Sequence, residues 1–179
     1  MAGVQAPAFE CDTVIATASG MTSLGERLAT LLAAGDLVVL SGSLGAGKTT
    51  LAQGIGAGLQ VRGPVTSPTF VIARVHPSLS GGPDLVHADA YRLGSRAEVD
   101  DLDLDADLAS SVTIVEWGEG LVEGLADSFL SIQIDAENRA PGEAIDRDLE
   151  ADLPRIVKVT GWGERWRRDA AAARRVLTG

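Results

Sequence analysis

The sequence predicts an α/β fold, a three-layer arrangement of helices around a mostly parallel sheet that turns antiparallel toward the C-terminus. Three observations carry this. An apolar run, Leu37-Val38-Val39-Leu40, leads into a glycine-rich loop and then a helical segment. Short apolar runs alternate with helical segments through the first half of the chain. In the second half strands cluster, and residues 129–134 and 155–160 read as a late hairpin.

Taken in order, residues 1–12 read as a loose leader and residues 13–18 as a short strand. Ser23 with Glu26 three residues on forms a capping box. Leu24, Leu28, Leu31 and Leu32 follow at helical spacing, and Gly35 suits the position just past a helix end. The run from Leu37 is apolar on consecutive residues, as a strand buried on both faces requires. A helix starts near Lys48 and runs to about Leu59. Gly54, Gly56 and Gly58 weaken it, and close packing on the sheet would explain them. Strands are expected at 70–75, 85–91 and 111–115, with a second capping box, Ser95 with Glu98, opening a helix toward Leu102. Residues 135–154 are polar and charged and read as a mobile loop, and the tail 164–179 reads as a helix.

A length of 179 residues suits a single domain, 1–179, with one core. Hydrophobic residues make up 45% and charged residues 22%, which excludes a chain disordered throughout. The net charge of −10 argues against a protein that grips nucleic acid by itself, since phosphate contacts need a basic face. Arg165, Arg167, Arg168, Arg174 and Arg175 are a local exception. They read either as a helix end complementing its dipole or as a contact to tRNA within an assembly. Cys11 is the one cysteine, so no internal disulfide forms and a cytoplasmic setting is expected. No apolar run reaches the ~18 residues needed to span a bilayer. Asp101, Asp103 and Asp105 mimic the start of a calcium loop, but Ala106 and Val112 stand where glycine and glutamate are required, so a solvated acidic face is the reading.

Residues 42–49, Gly42-Ser43-Leu44-Gly45-Ala46-Gly47-Lys48-Thr49, fit G-x-x-x-x-G-K-[ST] at every required position. Glycines let successive N–H groups turn inward, and these with the helix N-terminus suit phosphate oxygens. Lys48 would neutralise the β and γ phosphates, and the Thr49 hydroxyl is a hard oxygen ligand for Mg²⁺. A strand before the loop and a helix after it make this a P-loop NTPase pattern. The guanine-reading Asn-Lys-x-Asp element is absent, because Asn138 is the sole asparagine and Arg139 follows it. ATP is therefore favoured over GTP.

Such enzymes also need an acid at the end of a neighbouring apolar strand. Glu116, closing Thr113-Ile114-Val115, supplies it, as a second Mg²⁺ ligand. Trp117 either stacks on the nucleotide or covers the core. Asp89 ends another strand and would orient a water or support the metal. His87 reads as a packed strand residue. Ser67-Pro68-Thr69 is either a γ-phosphate sensor or an ordinary X-Pro turn.

The ordered set Gly42 to Thr50, Ser67-Pro68-Thr69-Phe70, His87-x-Asp89-x-Tyr91-Arg92-Leu93 and Val115-Glu116-Trp117 resembles the bacterial TsaE (YjeE) ATPases over roughly residues 13–165. The resemblance implies a part in making N6-threonylcarbamoyladenosine at position 37 of tRNAs that read codons beginning with A. It implies action on a complex of TsaD and TsaB, with tRNA met only through that complex and no membrane involved. By motif it implies that Gly42, Gly45, Ala46, Gly47, Lys48, Thr49 and Thr50 hold ATP, that Thr49 and Glu116 hold Mg²⁺, and that Lys48, Asp89 and Glu116 serve hydrolysis. Trp117, Glu119 and Arg155 are placed near the nucleotide. Ser43 stands where the family usually has an acid, and Met21 where it often has a threonine. The 135–154 connection is longer than usual.

Two other readings use the same loop. A small-molecule kinase would need an arginine-rich lid, whereas 135–154 holds only Arg139 and Arg147. A nucleotide-gated binding module would assemble without turnover. In the ATPase reading intrinsic hydrolysis is expected to be slow, with Arg92 the nearest arginine in cis.

Overall fold

The structure, a computed structural model, describes residues 6–68, 73–93, 95, 98, 108–136 and 153–179. Its sheet holds β1 (Phe9–Ile15), β2 (Leu37–Gly42), β3 (Ala73–His76), β4 (Asp84–Asp89), β5 (Ser111–Glu116), β6 (Phe129–Ala136) and β7 (Arg155–Trp162). The helices among the described residues are α1 (Ala18–Ala29), α2 (Lys48–Gly58) and α3 (Gly163–Thr178), with a 3₁₀ turn at Glu123–Leu125. None of these helices is long and apolar enough to cross a membrane.

Strand order is β1-β7-β6-β2-β5-β4-β3. β6, β2, β5 and β4 run parallel to one another and form the centre. The β6–β7 hairpin is antiparallel, as expected for the C-terminal half. The structure adds antiparallel pairing from the N-terminal half as well: β1 lies against β7, and β3 lies against β4 on the opposite edge. The sheet is therefore mixed, with a parallel centre between antiparallel margins.

Central β2 explains its own composition. Val38 and Leu40 enter one core, with the apolar faces of α1, α2 and α3. Leu37 and Val39 enter the other, with Val86, Ala88 and Val115. Each side chain of the run removes apolar area from water on one face or the other. The three helices thus share one face. On the second face the covering residues include Leu108, Leu121 and Leu125 around the 3₁₀ turn. The helix expected from Ser95 to Leu102 falls mostly outside the described residues. Its start is visible in Ser95 Oγ accepting from the Glu98 N–H at 3.4 Å.

Several sequence expectations are corrected. The expected leader, 1–12, holds the first part of β1, which begins at Phe9 and ends at Ile15 rather than spanning 13–18. Phe9 is buried against the Trp166 ring, centroids 6.3 Å apart, which fixes the strand on the body of the protein. α1 starts five residues before Ser23. Its cap is Thr17, whose Oγ1 accepts from the Gly20 N–H at 3.0 Å. Gly35 lies beyond the helix end, at φ +94°, in the turn that donates to Ser111 O at 2.9 Å before β2 begins. The loop expected at 135–154 overlaps the end of β6 at Ala136, and residues 137–152 lie outside the described residues.

The glycines of α2 are explained by α1 more than by the sheet. A Cβ on Gly54 would sit 2.2 Å from Thr22 O, and one on Gly58 would sit 2.5 Å from the Ala29 Cβ. Gly25 of α1 meets Leu51 O in the same way, at 2.5 Å. Gly56 alone faces the sheet side, toward Val65 and Leu85. Two helices this close need backbone against backbone, and that outweighs the roughly 1 kcal/mol per residue by which glycine weakens a helix.

The C-terminal arginines mostly fasten α3. Arg165 donates to Leu31 O at 2.7 Å, pairs with Asp36 at 3.2 Å and pairs with Asp169. Arg174 donates to Glu10 O at 2.7 Å, and Arg167 pairs with Glu164 at 2.9 Å.

Candidate functional site

β2 delivers the chain to the glycine loop in the middle of the sheet. Gly42 has φ +137°, and a Cβ there would lie 2.2 Å from Ile134 O of neighbouring β6, so no other residue fits. Gly45 and Gly47 also have positive φ, +80° and +108°. Gly47 is the N-cap of α2 and makes no side-chain cap, so no side chain satisfies the first N–H groups of that helix. Such a helix end accepts an anion.

Lys48, the first residue of α2, is only 5% exposed. Its Nζ donates to Gly42 O at 2.9 Å and Ser43 O at 2.8 Å, and it lies 3.9 Å from the centroid of the Trp117 ring. Burial lowers its pKa from the usual 10.5, against the opposing pull of the Glu116 and Asp89 carboxylates. Two acids and the ring thus confine one cation at the base of the loop.

The acids come from β4 and β5, where Asp89 and Glu116 are register partners. Strand alternation puts Leu85, His87 and Asp89 on one face of β4, and Ile114 and Glu116 on the corresponding face of β5, toward α2. Glu116 Oε1 receives two hydrogen bonds, from Thr49 Oγ1 at 3.0 Å and from His87 Nε2 at 2.9 Å. Asp89 Oδ1 accepts from the Tyr91 N–H at 2.9 Å, so this aspartate both caps its turn and borders the cleft. Trp117 breaks out of β5 with φ +61°. Its N–H returns to Leu40 O at 2.9 Å and its ring meets Tyr91 edge-on, centroids 5.2 Å apart. The Trp117 ring covers the Lys48 ammonium.

Two cavities flank the loop. One, of 200 Å³, is lined by Lys48, Thr49, Asp89, Glu116 and Trp117, with Ser67 at its edge. The other, of 220 Å³, is lined by Ala46, Gly47, Thr50, Arg155 and the β1–α1 junction, Ile15 to Ala18 with Met21. Gly45, Gly47 and Thr50 border both. Arg155 therefore stands beside the loop. Glu119 does not: it is exposed on the turn after β5 and lines neither cavity. Arg92 is likewise exposed and lines neither. Thr69, the second hydroxyl of the supposed sensor, lies outside the described residues, as do Asp101, Asp103, Asp105, Arg139 and Arg147.

Sequence reasoning missed two features. His87 is packed, as expected, but it is also bonded to Glu116. Its place two residues before Asp89 on one strand was the available signal. The wall at the β1–α1 junction carries no motif in the sequence, where Met21 alone stands out.

The family model described as threonylcarbamoyl adenosine biosynthesis protein TsaE matches residues 15–147. The chain is 65% identical over 124 residues to the tRNA threonylcarbamoyladenosine biosynthesis protein TsaE of Streptomyces coelicolor, covering 69% of this chain and 82% of that protein. It is 52% identical over 120 residues to the protein of the same name from Mycobacterium bovis, covering 63% of this chain and 71% of that one. The crystal structure of Bacillus subtilis YdiB superposes with a TM-score of 0.68 at 26% identity, covering 93% of this chain and 95% of that chain.

Proposed function

Because the chain belongs to the TsaE family of tRNA threonylcarbamoyladenosine biosynthesis proteins, we propose that it is a Mg²⁺-dependent ATPase acting on a TsaD–TsaB complex. The product of that complex is N6-threonylcarbamoyladenosine at position 37 of tRNAs reading codons that begin with A. The setting is cytoplasmic, and tRNA is met through the complex.

The observation that carries this reading is the meeting of Thr49, Glu116 and Lys48 at the uncapped N-terminus of α2. The residues suit Mg²⁺-ATP. Thr49 spends its one hydroxyl proton on Glu116, which leaves its oxygen lone pairs free for a hard cation. Glu116 has both bonds on Oε1, so Oε2 has no donor among the described residues and is available to the ion or its water. Bound Mg²⁺ would offset charge building on the phosphate oxygens during transfer.

Lys48 leaves the carbonyls of Gly42 and Ser43 for the β and γ phosphates, where its charge is better matched. The N–H groups of the loop and of the first α2 turn hold phosphate oxygens. Asp89, in register with Glu116, accepts a proton from or orients the attacking water. Arg155 and Thr50 border the 220 Å³ cavity, where the nucleoside end has room.

Phosphate release from Mg²⁺-ATP in the presence of TsaD and TsaB tests the reading. Glu116→Ala should bind nucleotide yet lose nearly all turnover. Transfer of the phosphoryl group to a metabolite instead of water would replace the ATPase with a kinase.

A further inference from the structure

His87 has no exposed surface, and its ring contributes nothing to either cavity lining. Its Nε2 nevertheless lies 2.9 Å from Glu116 Oε1. Its Nδ1 is buried and has no hydrogen-bond partner among the described residues. These two facts fix the proton. With hydrogen on Nδ1, a buried N–H would go unsatisfied and the Nε2 lone pair would face a carboxylate lone pair. With hydrogen on Nε2, the N–H donates to the carboxylate and only the Nδ1 lone pair is left bare. His87 is therefore a donor aimed at one oxygen of Glu116.

That oxygen is the one Thr49 also uses. The two donors approach from different elements, α2 and β4, and together they define where the carboxylate sits. Glu116 is the last residue of β5, its backbone fixed by the ladders to Leu40 and Asp89, directly before the left-handed turn at Trp117. The backbone leaves the side-chain torsions open, and the two donors restrict them.

We propose that His87 is a positioning residue for Glu116. It holds Oε1 in place so that Oε2 is presented to a divalent cation, and it does so through the Nε2–H bond alone. The inference rests on the magnesium-nucleotide reading given above. An outer partner of this kind is typically worth about 10–100-fold in metal affinity.

The test is nucleotide binding by titration calorimetry, once with Mg²⁺ and once with EDTA, for the full chain and two variants. His87→Leu fills the space without a donor. His87→Gln carries an amide nitrogen at the reach of Nε2. The Mg²⁺-dependent gain in affinity should fall by about tenfold or more in His87→Leu while the EDTA affinity holds, and His87→Gln should restore most of it. If the gain persists in His87→Leu, or if both affinities fall together in both variants, the positioning role is overturned. If His87→Leu does not fold, the His87→Gln comparison decides, because a purely packing role predicts a reduced gain there. A wild-type chain with equal affinity in Mg²⁺ and EDTA would sink the magnesium reading itself, and the role of His87 with it.

Discussion

Thr49 Oγ1 donates to Glu116 Oε1 at 3.0 Å, joining the first turn of α2 to the end of β5. Both residues are on elements anchored in the core, so the bond registers the glycine loop against the sheet. Thr49→Val keeps the shape and removes the hydroxyl. It should lower Mg²⁺-dependent nucleotide affinity by about tenfold or more, equivalent to about 1.4 kcal/mol, while Thr49→Ser keeps most of it. Calorimetry with Mg²⁺ and EDTA reads this. Equal affinities for wild type and Thr49→Val would exclude the hydroxyl as a ligand.

Trp117 covers the Lys48 ammonium at 3.9 Å. If Lys48 turns from the Gly42 and Ser43 carbonyls to phosphate, the field at the indole changes. Trp fluorescence should therefore respond to Mg²⁺-ATP, and the response should vanish in Trp117→Phe although Trp162 and Trp166 remain. A response that survives this substitution would assign it to the C-terminal tryptophans.

Gly54→Ala should destabilise the protein by about 1–3 kcal/mol, the range for overpacking. Helix propensity alone predicts the opposite sign, a gain of about 1 kcal/mol. The built Cβ lies 2.2 Å from Thr22 O, a backbone atom that cannot swing aside, so packing prevails. Urea melts measure the difference, and a more stable variant would mean that α1 and α2 can separate at little expense.

Burial holds the Lys48 pKa below 10.5 in the folded chain. The unfolded chain binds that proton more tightly, so the unfavourable contribution is complete below the folded value and disappears as pH rises to 10.5. The melting temperature of the nucleotide-free wild type, relative to Lys48→Met, should thus climb as pH rises toward 10.5. A flat difference would show that the carboxylates of Glu116 and Asp89 cancel the burial.

His76 follows the same sign at lower pH. Burial lowers its pKa from 6.5, and its Nε2 is buried with no partner among the described residues. Stability should drop as pH falls below 6.5, where the unfolded chain takes up the proton first. His76→Gln should reduce that slope in melts between about pH 7 and 5.

Legibility in the sequence followed locality. The loop from Gly42 to Thr49 was readable because backbone geometry demands its residue types at fixed spacing. β2 was readable because Leu37 to Leu40 are apolar on consecutive residues, as a strand buried on both faces requires, and β5 because Val112, Ile114 and Val115 mark it. β1 was not. Its sequence, FECDTVI, alternates weakly, and its partner β7 is far along the chain. The start of α1 was hidden because Thr17 caps it without a glutamate at the third position. Glu116 was found from its strand end, whereas His87 was read as packing alone, since its bond forms only when β4 and β5 lie side by side. Glu119 was placed near the nucleotide by resemblance; it is exposed on the turn after β5 and lines neither cavity.

The most direct test of the central claim is the rate of ATP hydrolysis with Mg²⁺, alone and with TsaD and TsaB, for wild type and Lys48→Ala. Slow turnover by the chain alone, raised by the two proteins and absent in Lys48→Ala, is the predicted result. Rapid turnover that TsaD and TsaB leave unchanged would contradict it.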